Sequence, residues 1–171
     1  MNVRPLGALM VVVSSTVWGW QVASRVEARP RELRSLMHLL EVLETDIAYA
    51  AIPLPQALRR AERTIAEPAA TLARVAAVGL AGPAPVAEVW QNAIQKASAS
   101  SALSLADWAA VRELGDVLGA SGRDDQIRHL RLAHARLGEA VGPAEAEARR
   151  LGRVWRALGL FGGLGVALAL Y

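Results

Sequence analysis

The chain contains no cysteine, which excludes disulfides, thiol nucleophiles and cysteine-ligated zinc or iron–sulfur centres. Lysine is almost missing as well: of the 19 basic residues, Lys96 alone is not arginine. No G-x-x-x-x-G-K-[ST] occurs, and Lys96 follows Ile94-Gln95 with no glycine-rich loop, so nucleotide hydrolysis has no support. There is no G-x-S-x-G for serine catalysis. The three histidines, His38, His129 and His134, form no H-x-x-x-H pair, and His129 and His134 stand five apart, poor spacing for one helix face. No catalytic residue, metal site or cofactor is expected. Proline and glycine usage, 8 and 14 of 171 residues, is ordinary and fits neither a collagen-like nor a wholly disordered chain.

A charge excess of one sign is also lacking. The pI near 10.1 rests on a net charge of only +3, a weak footprint for nucleic acid. The positive mean hydropathy of +0.26 is more telling, because it comes from the two ends.

Residues 5–24 read PLGALMVVVSSTVWGWQVAS, twenty residues with no charge between Arg4 and Arg25. At about 1.5 Å per residue such a helix reaches about 30 Å, one hydrocarbon core. Residues 157–171, ALGLFGGLGVALALY, are also uncharged but shorter, and need Val154 and Trp155 or local bilayer thinning to cross. Arg25, Arg29, Arg31 and Arg34 follow the first run; Arg149, Arg150, Arg153 and Arg156 precede the second. By the positive-inside rule both flanks, and the domain between them, face the cytoplasm. A cleaved signal peptide is the alternative for the first run, with Val22-Ala23-Ser24 as small residues before cleavage, but the bases lie on the wrong side. Trp18, Trp20 and Trp155 at the domain side and Tyr171 at the far side suit interfacial belts. Gly159 and Gly163 form a GxxxG through which membrane helices approach closely. The expected organisation is a transmembrane helix in 1–25, a helical domain in 26–154 and a second transmembrane helix in 155–171.

The middle reads as all-α. Leu33, Leu36, Met37, Leu40, Leu43, Ile47 and Ala50 follow the i, i+3, i+4 rule across residues 31–51, either as a separate helix or as a kinked extension of the first span through Pro30. Pro53 and Pro55 end it, and Pro55 fits the first turn of a helix at about 55–66. Further helices are expected from Pro68 to Gly79–Gly82 and over VAEVWQNAIQKA, residues 86–97. Another is expected from a Ser104/Asp107 capping box to Gly119. From Asp124 a last helix runs toward the second span, with a kink or break at Gly142-Pro143. The helix in 31–51 and the segment 124–156 are expected to pack antiparallel. Trp90 and Trp108 read as core aromatics, a partner anchor being the other reading.

Glu41, Glu44 and Asp46 form an acidic run with no base before Arg59. Glu41 and Glu44 share a helix face, and the prolines at 53 and 55 present Leu54 rigidly. A charged rim around an exposed apolar residue suits docking of a basic partner, through Glu41, Glu44, Leu54 and Pro55. Two alternatives stay open: a solvated helix face, and internal neutralisation by Arg59, Arg60 and Arg63.

Several pieces together carry a resemblance. Arg29-Pro-Arg-Glu-Leu-Arg34, Leu43-Glu-Thr-Asp-Ile47-Ala-Tyr49 and Pro53-Leu-Pro-Gln-Ala-Leu58 precede Trp90, Leu118-Gly119, Gln126 and the ending Trp155-Arg-Ala-Leu-Gly159-Leu-Phe-Gly-Gly163. In this order and spacing they resemble the stage III sporulation protein AB family. Gly142-Pro143 departs from it, breaking a stretch usually continuous. The resemblance implies a component of the secretion-like channel complex between mother cell and forespore, placed in the mother-cell membrane. It also implies a part like that of the inner-membrane platform protein of type II secretion. A cytoplasmic ATPase, stage III sporulation protein AA, would dock on the central domain beside other channel components, with membrane lipid as surroundings; a homo-oligomer is left open. The expected function is thus a non-enzymatic adaptor. Its rivals are a basic nucleic-acid-binding module, which would need arginines gathered on one surface, and a membrane enzyme, which would need ionisable groups inside a span.

Overall fold

The computed structural model describes the backbone of residues 4–50 and 52–169, and side chains chiefly of residues 27–50, 52–152 and 154. Among the described residues there are six α-helices and no strand, as the periodicity predicts: α1 (Arg4–Thr45), α2 (Leu54–Glu62), α3 (Ala69–Gly79), α4 (Val86–Ser98), α5 (Leu105–Arg112) and α6 (Arg123–Ala169). The chain divides into two compact units, Met1–Arg29 with Pro143–Tyr171, and Pro30–Gly142. Among the described residues no helix carries a stretch long and apolar enough to cross a membrane. Most of the two expected spans, with their tryptophans, Tyr171 and the Gly159/Gly163 pairing, lies outside the residues whose side chains are described.

In the first unit, Arg29 of α1 pairs with Glu147 of α6 at 3.5 Å, and Ala144 and Ala148 are buried. The second unit holds the core.

Pro30 does not separate the leucine-rich helix from the residues before it; α1 is continuous through it. An interior proline costs a helix about 3 kcal/mol. Beyond it, Leu33, Leu36, Leu39, Leu40 and Leu43 are all buried, and each such side chain returns about 1.5–3 kcal/mol, so packing outweighs the lost bond. After Thr45 the helix widens into a π turn, Asp46–Ala50, rather than ending as regular α-helix at 51. The backbone N–H of Ile52 still reaches the Asp46 carbonyl at 3.4 Å before Pro53 stops the run.

Prolines open the next helices. Pro53 and Pro85 immediately precede α2 and α4 with extended ψ of 138° and 144°, and Pro55 occupies the first turn of α2. Helix α2 ends at Glu62, a turn earlier than the expected 66, and α3 begins directly after Pro68. α3 is alanine-rich: Ala69, Ala70, Ala73, Ala76 and Ala77 are buried, and such small side chains let α2 and α4 pack close against it.

The capping box at α5 is complete: the Asp107 N–H donates to Ser104 Oγ at 3.2 Å and the Ser104 N–H to Asp107 Oδ2 at 2.8 Å. The single helix expected to Gly119 is instead α5 followed by a tighter 3-10 turn, Glu113–Asp116. That turn brings Gly115 against Trp90, where an added Cβ would lie 3.0 Å from the indole Cδ1. Gly119 closes the segment at φ +76°, a conformation that L side chains resist. Trp90 and Trp108 are both core residues, and Trp90 Nε1 donates to the Val111 carbonyl at 2.9 Å. Glu32 ties the loop before α5 to α1, accepting from Ser101 Oγ at 2.7 Å and from the Ala102 N–H at 2.8 Å.

Of the kink or break expected at Gly142-Pro143, the break is corrected: α6 is helical through both residues. Proline disfavours α-conformation in its predecessor by crowding that residue's Cβ, and Gly142 has none. Leu130, Ala133 and Leu137 of α6 are buried, with Ile127 and Val141 half-buried on the same face. Glu41 and Glu44 of α1 meet His134 and Arg131 of α6; rising numbers face falling ones, so the two helices pack antiparallel as expected.

Candidate functional site

The acidic run divides according to the leucines beside it. Leu40 and Leu43 face the core, and Asp46, three residues beyond Leu43, falls on the same buried side. Glu41 and Glu44 point outward and share a face. Ile47, expected in the core, is only half-buried because the π turn begins at Asp46 and shifts the register of the residues after it.

Both glutamates have partners, and these come from α6. Glu44 Oε1 accepts from Arg131 Nε at 2.7 Å. Glu41 Oε1 lies 3.0 Å from His134 Nε2, and its Oε2 lies 3.5 Å from His38 Nδ1 one turn earlier on α1. Of Arg59, Arg60 and Arg63, Arg60 reaches the run, at Asp46, with Nη1 3.1 Å from Oδ1. The Glu41 side chain remains 57 % exposed and that of Arg131 67 %. An exposed pair is worth about 0–1 kcal/mol, so Glu41 can exchange its partner at little cost, whereas Glu44, 27 % exposed, is the more enclosed of the two.

Beside these acids, Pro53 is exposed and Leu54 and Pro55 are half-buried at the start of α2. Two features of this corner were not singled out from the sequence. Tyr49, in the π turn, is 87 % exposed, and an aromatic ring at a charged rim is a common anchor for a partner. Asp46 is buried, which its spacing of three from Leu43 signals once the leucine face is recognised. His38, Glu41, Val42 and Thr45 of α1, with Asp46, Arg60 and Thr64, line a cleft of about 420 Å³. Among the described residues no cluster of three or more histidine or acidic side chains is placed to hold a metal ion. The arrangement offers charge and a cleft, and the chemistry it supports is recognition.

Residues 4–171 match the family model described as stage III sporulation protein AB. The stage III sporulation protein AB of Bacillus subtilis (strain 168) is 28 % identical over 166 residues, which cover 96 % of this chain and 97 % of the relative. A solved structure of a stage III sporulation protein AB superposes with a TM-score of 0.66 at 27 % identity, covering 71 % of this chain and 96 % of that one.

Proposed function

Because the chain belongs to the stage III sporulation protein AB family and thereby has a role in sporulation, we propose that it is a membrane-anchored adaptor which docks a cytoplasmic ATPase, stage III sporulation protein AA, onto a secretion-like channel complex. The observation that carries this reading is the outward face of α1, which Glu41 and Glu44 share near the helix end, Glu41 meeting His134 and Glu44 meeting Arg131 of α6. A face of this kind gives electrostatic steering and quick release, which suits a partner that turns over.

The binding experiment uses the full chain in detergent micelles and the ATPase as prey. Glu41→Arg with Glu44→Arg reverses the rim charge, and binding is expected to fall at least about tenfold, the loss of about 1.4 kcal/mol or more. The melting temperature should move little if docking is their role, since Glu41 and Arg131 are largely exposed. Retained binding with normal stability removes the face from the docking role; a large drop in melting temperature assigns the two glutamates to the fold instead.

The anchor reading rests on the uncharged runs 5–24 and 157–171 and on the arginines at their inner flanks. In sporulating cells a cysteine replacing Ser100 is expected to resist an impermeant maleimide until the membrane is opened, and a cysteine appended after Tyr171 to react at once. The reverse pattern overturns the cytoplasmic placement of the domain.

A further inference from the structure

Helix α5 buries Trp108 and Val111 and turns Leu105, Ala109 and Glu113 outward, four residues apart on one stripe. Leu105 opens the helix and is 85 % exposed, a large apolar side chain that adds little to the core. A single exposed leucine is ordinary, but this one has a counterpart beside it. Ala106 and Ala109 of α5 and Leu137 and Ala140 of α6 line a recess of about 220 Å³. An apolar knob thus stands next to an apolar hole. Glu113, two turns or about 12 Å along α5 from Leu105, bounds the recess together with Arg136 of α6. Glu113 Oε2 accepts from Arg136 Nη1 at 2.7 Å, and the two side chains are 59 % and 45 % exposed. Glu113 Oε1 and the other N–H groups of Arg136 have no hydrogen-bond partner among the described residues, so this pair can take on a second one.

We propose that this face is an interface between two copies of the chain, related by a twofold axis that runs alongside α5. A closed pair needs a surface that complements itself, and this one holds both members of each contact: knob and recess, carboxylate and guanidinium. Leu105 of each copy enters the recess of the other beside Ala106. The Ala109 residues, with nothing beyond Cβ, let the two α5 helices approach. Glu113 of each copy meets Arg136 of the other, so that four alternating charges replace two separate pairs. The face is small against the roughly 20–30 residues a side of a stable interface, so the pairing is weak and concentration-dependent. Anchoring in one membrane, as proposed above, raises the effective concentration that such a face needs. The inference is independent of the docking reading, which concerns α1.

The test uses the full chain in detergent micelles, with donor or acceptor dye on a cysteine replacing exposed Gln56 of α2 in a chain that has no other thiol. Energy transfer between chains is expected to rise with protein concentration at a fixed excess of micelles. Leu105→Gln should weaken the association at least about tenfold. The melting temperature should hold, because the side chain replaced is exposed. Arg136→Glu and Glu113→Arg should each weaken association as well, since each sets like charges across the interface. A one-to-one mixture of these two variants should recover it, because every contact between unlike chains then joins opposite charges. A mixture as dissociated as its components overturns the twofold pairing. Chains that stay monomeric throughout the titration overturn it too. Association that survives all three substitutions means that the spans or another face hold the copies together, and it also overturns the inference. So does a Leu105→Gln chain that associates normally yet fails to support spore formation, since the face then belongs to a different protein.

Discussion

Replacing Trp90 by alanine is expected to cost about 3–5 kcal/mol, the range for deleting a fully buried large aromatic. Trp90 is completely buried, its indole lies against Gly115 at a spacing that leaves no room for another carbon, and Nε1 donates to the Val111 carbonyl at 2.9 Å. Domains of this size hold about 5–15 kcal/mol in total, so one substitution removes a large share. Phenylalanine at the same position separates the ring from the hydrogen bond. It keeps much of the apolar volume and deletes the donor, and the Val111 carbonyl is still reached by the Glu113 N–H. Trp90→Phe is therefore expected to cost only about 1–2 kcal/mol, partly a cavity and partly the lost bond. Denaturant unfolding of the three proteins followed by circular dichroism checks the order. Equal stability of the alanine and wild-type chains would mean that α4 does not pack as described.

The parts legible from sequence were those governed by short-range chemistry. The leucines of α1 recur with a spacing that only a helix with one buried face explains, and of the residues expected on that face Leu33, Leu36, Leu40 and Leu43 are in the core, Met37 and Ile47 are half-buried, and Ala50, in the π turn, is exposed. Prolines and the Ser104/Asp107 box locate helix starts for reasons contained within four residues, and α2 to α5 begin where those residues place them. The features that escaped depend on neighbours distant in the chain or on two local rules in conflict. Glu41 and Glu44 could be expected to meet Arg59, Arg60 and Arg63 because those are the next bases along the chain; their partners, His134 and Arg131, are 93 and 87 residues away. At Gly142-Pro143 both residues are helix breakers taken singly, yet the missing Cβ of the glycine relieves part of the crowding that a proline imposes on its predecessor. The π turn at Asp46–Ala50 has no strong local signature, and it decides that Asp46 is read as part of a surface run when it is in fact a wall of the cleft.

Gly79 offers a stricter test of the packing between α3 and α4, because the sign of the effect depends on one neighbour. Glycine in a helix interior is less favourable than alanine by about 1 kcal/mol, and at Gly79, the last residue of α3, a part of that gain should favour Gly79→Ala on local grounds. A Cβ at that position, however, would stand 2.5 Å from Val89 Cγ1 and 3.2 Å from Cγ2. Val89 is buried on α4, and a valine in a helix has one strongly preferred rotamer, so it cannot turn aside cheaply. Overpacking of this kind costs about 1–3 kcal/mol and should exceed the propensity gain, leaving Gly79→Ala less stable than wild type. Gly138→Ala provides the contrast: its nearest neighbour would be Met37 Cε at 3.6 Å, ordinary contact with a flexible side chain, so the propensity gain should survive. In a Val89→Ala background the clash is gone, and adding Gly79→Ala should then raise stability rather than lower it. The double-mutant cycle is expected to show a coupling of about 1–3 kcal/mol. A cycle that closes with no coupling would mean that α3 and α4 stand farther apart at this end, so that the absence of a side chain at residue 79 has no steric cause.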